Sequence, residues 1–156
     1  MKIPFNEAWI KLSKKQSPKT DEELKQMLDI PYASVVGIIQ YVVQCNRPDI
    51  AYALSLMRRY QVCAWEAHWN TVKIILKYLK RTKDMFLIYG GGELILKGYS
   101  DASFQSDDDD AKSQSDFLFK LNGGVVAWKS FKQATTADST TEAEYTADLE
   151  TTKETV

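Results

Sequence analysis

Met85-Phe86-Leu87-Ile88-Tyr89-Gly90-Gly91-Gly92-Glu93-Leu94-Ile95-Leu96-Lys97-Gly98-Tyr99-Ser100-Asp101-Ala102-Ser103-Phe104 is where this chain of 156 residues changes period. Upstream, apolar residues recur every three or four positions, as one face of a helix requires. From Met85 onward short apolar runs are bounded by glycine, as strands are. Residues 85–89 read as a strand, Gly90-Gly91-Gly92 as a turn, and residues 94–100 as a second strand running into Asp101. Residues 115–121 and 125–129 read as a hairpin around Asn122-Gly123-Gly124, because Asn-Gly accepts the backbone that tight turns need. A last helix begins near Ser139 or Thr140 and carries Glu142, Ala143, Glu144, Tyr145 and Ala147. A sheet of so few strands with one helix covers only one of its faces. The reading is therefore an α/β chain: an N-terminal helical segment, then an incomplete sheet with one packed helix. Its parts are 1–30, an extended lead and short helix; 31–83, helical; and 84–156, the sheet.

In the lead, Thr20 caps a polar helix from Asp21 to Leu28, with Glu23 placed for a capping box. This part has little to bury. Residues 32–44 form a helix burying Val35, Ile38, Ile39 and Val42. Asn46 is positioned to cap the next, with Pro48 and Asp49 in its first turn, where the missing N–H of proline costs little. Ile50, Ala53, Leu54 and Met57 form its buried stripe. Residues 65–80 bury Trp69, Val72, Ile75, Leu76 and Leu79, and place Lys73, Lys77 and Lys80 on one face. That lysine face suits contact with a nucleic-acid backbone, or it is simply solvated.

Hydrophobic residues make up 44% of the chain, and four Trp, eight Tyr and six Phe exclude disorder throughout. Residues 1–90 hold 14 Lys/Arg against 8 Asp/Glu, and residues 91–156 hold 6 against 13. A basic half suits phosphate, and an acidic half suits metal chemistry or solvation. Cys45 and Cys63 sit in apolar helical patterns and read as buried thiols in a reducing compartment. No window approaches 18 apolar residues, so no membrane span or membrane partner is expected. The N-terminus has no apolar stretch after Lys2 and reads as no signal peptide, which points to an intracellular protein.

Asp101 at a strand end and Glu144 on a later helix are the candidate catalytic and metal-ligating pair. Two-metal phosphodiester hydrolysis needs carboxylates holding Mg²⁺ ions about 4 Å apart, and Mg²⁺ prefers hard oxygen ligands. Glu142 and Glu144 face apart on a helix, whereas Glu144 and Asp148 share a face. Two carboxylates do not complete such a site, and a solvated acidic rim is the plain alternative. Asp107-Asp108-Asp109-Asp110 is a loop of mutually repelling charges without the spacing of a calcium loop. His68, alone among histidines, reads as a packing residue with a local hydrogen bond. No serine has a base beside it.

Several stretches together resemble one family: Ile30-Pro31-Tyr32-Ala33-Ser34-Val35-Val36-Gly37, Asn46-Arg47-Pro48-Asp49-Ile50-Ala51-Tyr52-Ala53, His68-Trp69, and Tyr78-Leu79-Lys80-Arg81-Thr82-Lys83-Asp84. Gly98-Tyr99-Ser100-Asp101-Ala102, Gly123-Gly124-Val125-Val126-Ala127-Trp128-Lys129-Ser130, Lys132-Gln133 and Ser139-Thr140-Thr141-Glu142-Ala143-Glu144-Tyr145 continue the series. In this order they resemble the Pol polyprotein of copia-type retrotransposons, from the end of reverse transcriptase through the first half of RNase H. The resemblance implies an incomplete RNase H-like mixed sheet, an RNA–DNA hybrid as ancestral partner, and Asp101 and Glu144 as the first two catalytic carboxylates. The strands and aspartates that would finish the fold and the Mg²⁺ site have no counterpart within these residues. That implies a Pol-derived piece without ribonuclease activity on its own, open to self-association through bare sheet edges. Ser103, Phe104 and Asp116 depart from the family pattern, which usually has an acid, Trp and Gly there. Short secreted RxLR-class effector candidates of oomycetes are similar to this same region, so a secreted module that binds a host protein is the rival reading. A nuclease completed by a partner chain is a third.

Overall fold

The computed structural model describes residues 12–154. The start of the lead and the signal-peptide reading lie outside them. The chain forms two compact units, Met1–Met85 and Phe86–Val156.

In the first unit, a 3-10 turn at Lys14–Gln16 precedes α1 (Asp21–Leu28), α2 (Tyr32–Asn46), a 3-10 turn at Pro48–Ile50, α3 (Ala51–Arg58) and α4 (Glu66–Arg81). The capping box of α1 is formed: Thr20 Oγ1 accepts from the Glu23 N–H at 3.2 Å, and the Glu23 carboxylate accepts from the Thr20 N–H at 3.3 Å. α1 buries no residue, as expected. α2 faces the core through Tyr32, Val36, Ile39 and Val43, while Ile38 is exposed. This corrects the expected stripe through Val35, Ile38, Ile39 and Val42. Nearly every position of α2 is apolar, so periodicity admits several stripes, and contact with α3 and α4 selects one. The same choice leaves Cys45 exposed and Cys63 half-buried, not the buried thiols expected. Asn46 ends α2, and Arg47 takes the cap position before Pro48. The stripe Ile50, Ala53, Leu54 and Met57 is buried as read.

α4 buries His68, Thr71, Val72 and Ile75. Trp69 and Leu79 are half-buried and Leu76 is exposed, a further correction. The buried row runs i, i+3, i+4, i+7 from His68, and Trp69 stands a residue out of phase with it. His68 packs as expected: its ring lies 4.4 Å from that of Tyr60, and its Nδ1 accepts from the Trp65 N–H at 3.1 Å, capping the helix.

The end of α2 is tied to the end of α4 by a polar clamp that periodicity does not reveal. Arg47 donates to Asp49 twice, Nε to Oδ1 at 2.9 Å and Nη2 to Oδ2 at 2.7 Å. Tyr78 donates its O–H to Asp49 Oδ2 at 2.7 Å. The guanidinium also donates to the Thr82 hydroxyl at 2.7 Å and carbonyl at 3.3 Å, satisfying the C-terminus of α4. Arg47 is 5% exposed and Asp49 7%. Burial opposes the charge on Asp49, but the hydrogen bonds from Arg47 and Tyr78 outweigh it and hold the carboxyl below its usual range. Burial, and then the same carboxylate, push the Tyr78 phenol up.

The second unit holds β1 (Lys97–Ser103), β2 (Gln114–Leu121), β3 (Gly124–Lys132) and α5 (Thr140–Lys153). The sheet order is β1-β2-β3, and both ladders are antiparallel. The α/β reading with helices preceding an open sheet holds; among the described residues no parallel pair makes the sheet mixed. Residues 85–89, expected as a strand, join no ladder. Their extension follows the hairpin tip instead: the Gly90 N–H donates to Asn122 O at 2.8 Å, and Tyr89 donates its O–H to Val125 O at 2.9 Å. Phe86, Ile88, Leu94, Ile95 and Leu96 are exposed, and β1 begins only at Lys97. The β2–β3 turn is Asn122-Gly123, with φ of 50° and 81°. Two positive values mark the type I′ turn whose twist suits a hairpin.

Candidate functional site

The pleat sorts the sheet into two faces. Cross-strand rows Gly98–Phe119–Ala127, Ser100–Phe117–Lys129 and Ala102–Ser115–Phe131 share one of them. α5 lies on this face, burying Ala143 and Ala147 against it. Two anchors fix its direction. Gln133 Nε2 donates both to Ser115 Oγ and to the Ala143 carbonyl, each at 2.8 Å. Ser100 donates its hydroxyl to Asp148. Ser115 is paired with Ala102, so Ala143 lies level with Ala102 and Asp148 level with Ser100. α5 therefore runs antiparallel to β1, with Glu144 between those levels, beside Asp101.

The opposite face carries Tyr99–Leu118–Trp128 in one row and Asp101–Asp116–Ser130 in the next. No helix covers it among the described residues, and Tyr99 is 51% exposed. Asp101 and Glu144 are both exposed. They stand at one level of the β1 edge, but the pleat turns Asp101 toward Asp116 and away from α5. Asp116 was read from sequence only as a misfit for glycine; the ladder gives it a role, as the residue facing Asp101. It holds ordinary strand backbone and is not among the positive-φ residues. Glu144 and Asp148 share a flank of α5 as expected, and Asp148 is the one bonded to β1. Sequence spacing gave no sign of that bond.

A two-metal clamp needs more donors than this. Among the described residues, no three or more acidic, His or Cys side chains are grouped to hold a metal ion. The donor set thus does not fit a pair of Mg²⁺ ions. Asp107-Asp108-Asp109-Asp110 is a loop, as read, with its repulsion offset in part by Lys132. That ammonium lies 3.1 Å from the Asp107 carboxylate and 2.8 Å from that of Asp110. Lys73, Lys77 and Lys80 are exposed on α4, on the side away from Val72 and Ile75. No single helix among the described residues is long and apolar enough to cross a membrane; α1 and α2 reach that composition only as a pair bent by 52°.

The fold and its edge define a class first: a helical unit followed by an open antiparallel sheet, with an acidic helix laid along its first strand. No family model and no solved structure matches the chain. Whole-sequence comparison is more informative. The chain is 46% identical over 145 residues to the Retrovirus-related Pol polyprotein from transposon TNT 1-94 of Nicotiana tabacum, covering 93% of this chain and 11% of that protein. It is 42% identical over 131 residues to Secreted RxLR effector protein 161 of Plasmopara viticola, covering 83% of this chain and 92% of that protein. Against the Pol polyprotein from transposon RE2 of Arabidopsis thaliana it is 36% identical over 124 residues, covering 79% and 8%. The chain belongs to the family of copia-type retrotransposon Pol polyproteins and their short relatives, and it spans about a tenth of the Pol polyproteins it matches.

Proposed function

We propose that this chain is a Pol-derived unit of ribonuclease H ancestry, in which Asp101 and Glu144 keep the first two carboxylate positions and which does not cut RNA–DNA hybrids by itself. The observation that carries this reading is the antiparallel seating of α5 on β1, which sets Glu144 level with Asp101 as a phosphodiesterase edge requires. Hydrolysis by two metals needs both attacking and leaving oxygens to be clamped, and the donors grouped here are too few. The test is Mg²⁺-dependent cleavage of a labelled RNA–DNA hybrid by the purified chain. No cleavage is expected at high protein concentration. Cleavage that Asp101→Asn and Glu144→Gln both abolish would overturn the inactivity and point to completion of the site by another copy or chain.

A second reading is favoured by one observation: the chain matches nearly the whole length of the relative named as a secreted effector. On this reading the same unit acts outside the producing cell as a module that binds a host protein. Immunodetection of the native product in culture filtrate against cell lysate separates the two. A strictly intracellular product removes the effector reading.

A further inference from the structure

α4 carries a second chemistry, which lies wholly within Met1–Met85 and does not rest on Asp101 or Glu144. At its N-terminal end a cleft of about 480 Å³ opens, lined by Lys15, Gln16, Ser17, Lys19, Trp65 and Asn70. Glu23 and Glu66 complete its wall, and Glu23 is engaged as the acceptor of the Lys19 and Thr20 N–H groups. The volume lies in the range of clefts that hold small molecules. From the cleft, Asn70, Lys73, Lys77 and Lys80 continue along α4 at intervals of three or four residues, so they form one stripe. All three lysines are exposed. At 1.5 Å per residue, Lys73 to Lys80 covers about 10 Å.

We propose that this cleft and stripe form a binding track for single-stranded nucleic acid. One unpaired base stacks on the Trp65 indole, its phosphate lies between Lys15 and Lys19, and the following phosphates run along Lys73, Lys77 and Lys80. An aromatic surface beside a line of cations is how proteins hold single strands without reading sequence. A duplex keeps its base faces stacked inside and leaves the cleft unused. An anionic membrane or an acidic peptide would engage the lysines and leave the indole idle. The excess of basic residues before residue 90 draws in any polyanion, and the cleft decides which kind.

The test uses the full chain and fluorescence anisotropy with a labelled oligothymidylate, a duplex of the same length, and vesicles rich in phosphatidylserine. Binding to the single strand is expected to be tighter than to the duplex. Replacing Lys73, Lys77 and Lys80 together by Gln should lower the slope of log affinity against log salt by about 2, at about 0.7 per lost phosphate contact. Trp65→Ala should weaken binding about tenfold, and Trp65→Tyr should restore most of it. The three lysines are exposed, so their replacement leaves the fold intact and keeps the test valid if Trp65→Ala unfolds the unit. Equal binding of duplex and single strand with no effect of the lysine replacements overturns the proposal. So does an unchanged salt slope, or binding to vesicles alone with the same lysine dependence.

Discussion

Asp49→Ala probes the buried clamp in the helical unit. The substitution leaves the Arg47 guanidinium, 5% exposed, without the carboxylate that takes two of its hydrogen bonds. It also strands the Tyr78 hydroxyl, which donates to Asp49 at 2.7 Å. Removing one partner of a buried ion pair costs about 3–5 kcal/mol, because the remaining charge stays desolvated. Thr82 still accepts from Arg47, which favours the lower end, about 3 kcal/mol. For a unit of this size about 1 kcal/mol lowers Tm by about 4–8 °C, so a drop of about 12 °C or more is expected. Hydrogen-exchange mass spectrometry assigns the loss: peptides of Met1–Met85 should exchange faster, and those of the sheet should not. Arg47→Ala and the double variant close the cycle, with a coupling above about 1 kcal/mol expected for groups sharing one network. The pH dependence has a definite sign. The folded carboxyl of Asp49 sits below its ordinary value of 3.8, so its contribution is full above that value and is lost as pH falls through the lower folded value. The wild type should therefore lose stability below about pH 4, and its gap to Asp49→Ala should narrow there. A Tm within about 3 °C of wild type at neutral pH, with no coupling in the cycle, refutes the clamp as a source of stability.

Three further outcomes follow from single positions. Gly123→Ala places a side chain at a φ of 81° and should cost about 1–2 kcal/mol by thermal melting; an unchanged Tm would mean the turn relaxes to another type. Asp116→Asn removes one of two carboxylates paired directly across β1 and β2 and should raise stability by up to about 1 kcal/mol, whereas a loss would show that Asp116 is held by favourable charges. The bare β1 edge and its Tyr99–Leu118–Trp128 row should make the chain associate as concentration rises. Light scattering checks this, and Tyr99→Lys should shift the chain toward monomer.

What the sequence revealed depended on how strongly each local signal excluded alternatives. Thr20 with Glu23 permits one helix start, and Asn122-Gly123 permits one kind of turn; both formed as read. The stripe of α3 was legible because polar residues bound it. The stripe of α2 was not, because an almost wholly apolar helix leaves the choice of face to its neighbours. Residues 85–89 look like a strand because they are apolar and bounded by glycine, yet a strand needs a partner edge, and composition does not supply one. The clamp of Arg47, Asp49, Tyr78 and Thr82 stayed hidden because residues 29 and 35 positions apart meet only once α4 is folded back. At the acidic edge, Asp101 and Glu144 could be picked out individually. Their alignment came from Gln133 and Ser100, two residues with no chemical signature of their own.

That alignment can be tested against metal directly, without any assay of activity. A ligand that binds only the folded state stabilises it by RT ln(1 + [L]/Kd), which is about 2.7 kcal/mol at a hundredfold excess over Kd and about 0.4 kcal/mol when the two are equal. For the sheet unit these correspond to Tm shifts of about 10–20 °C and about 2–3 °C. A complete two-metal site should show the larger shift in about 10 mM Mg²⁺, whereas exposed carboxylates at one level of a sheet edge should show no more than the smaller one. General screening complicates the reading, since residues 91–156 carry 13 acidic against 6 basic residues and any salt relieves their repulsion. Na⁺ at matched ionic strength removes that component. The expected result is a Mg²⁺ curve that overlays the Na⁺ curve, and Asp101→Asn or Glu144→Gln that each change Tm by less than about 4 °C. A Mg²⁺-specific shift of about 10 °C that either substitution abolishes would mean that the two carboxylates meet around an ion after all. The pleat that turns Asp101 away from α5 would then have to be overcome by the twist of an edge strand paired on one side only.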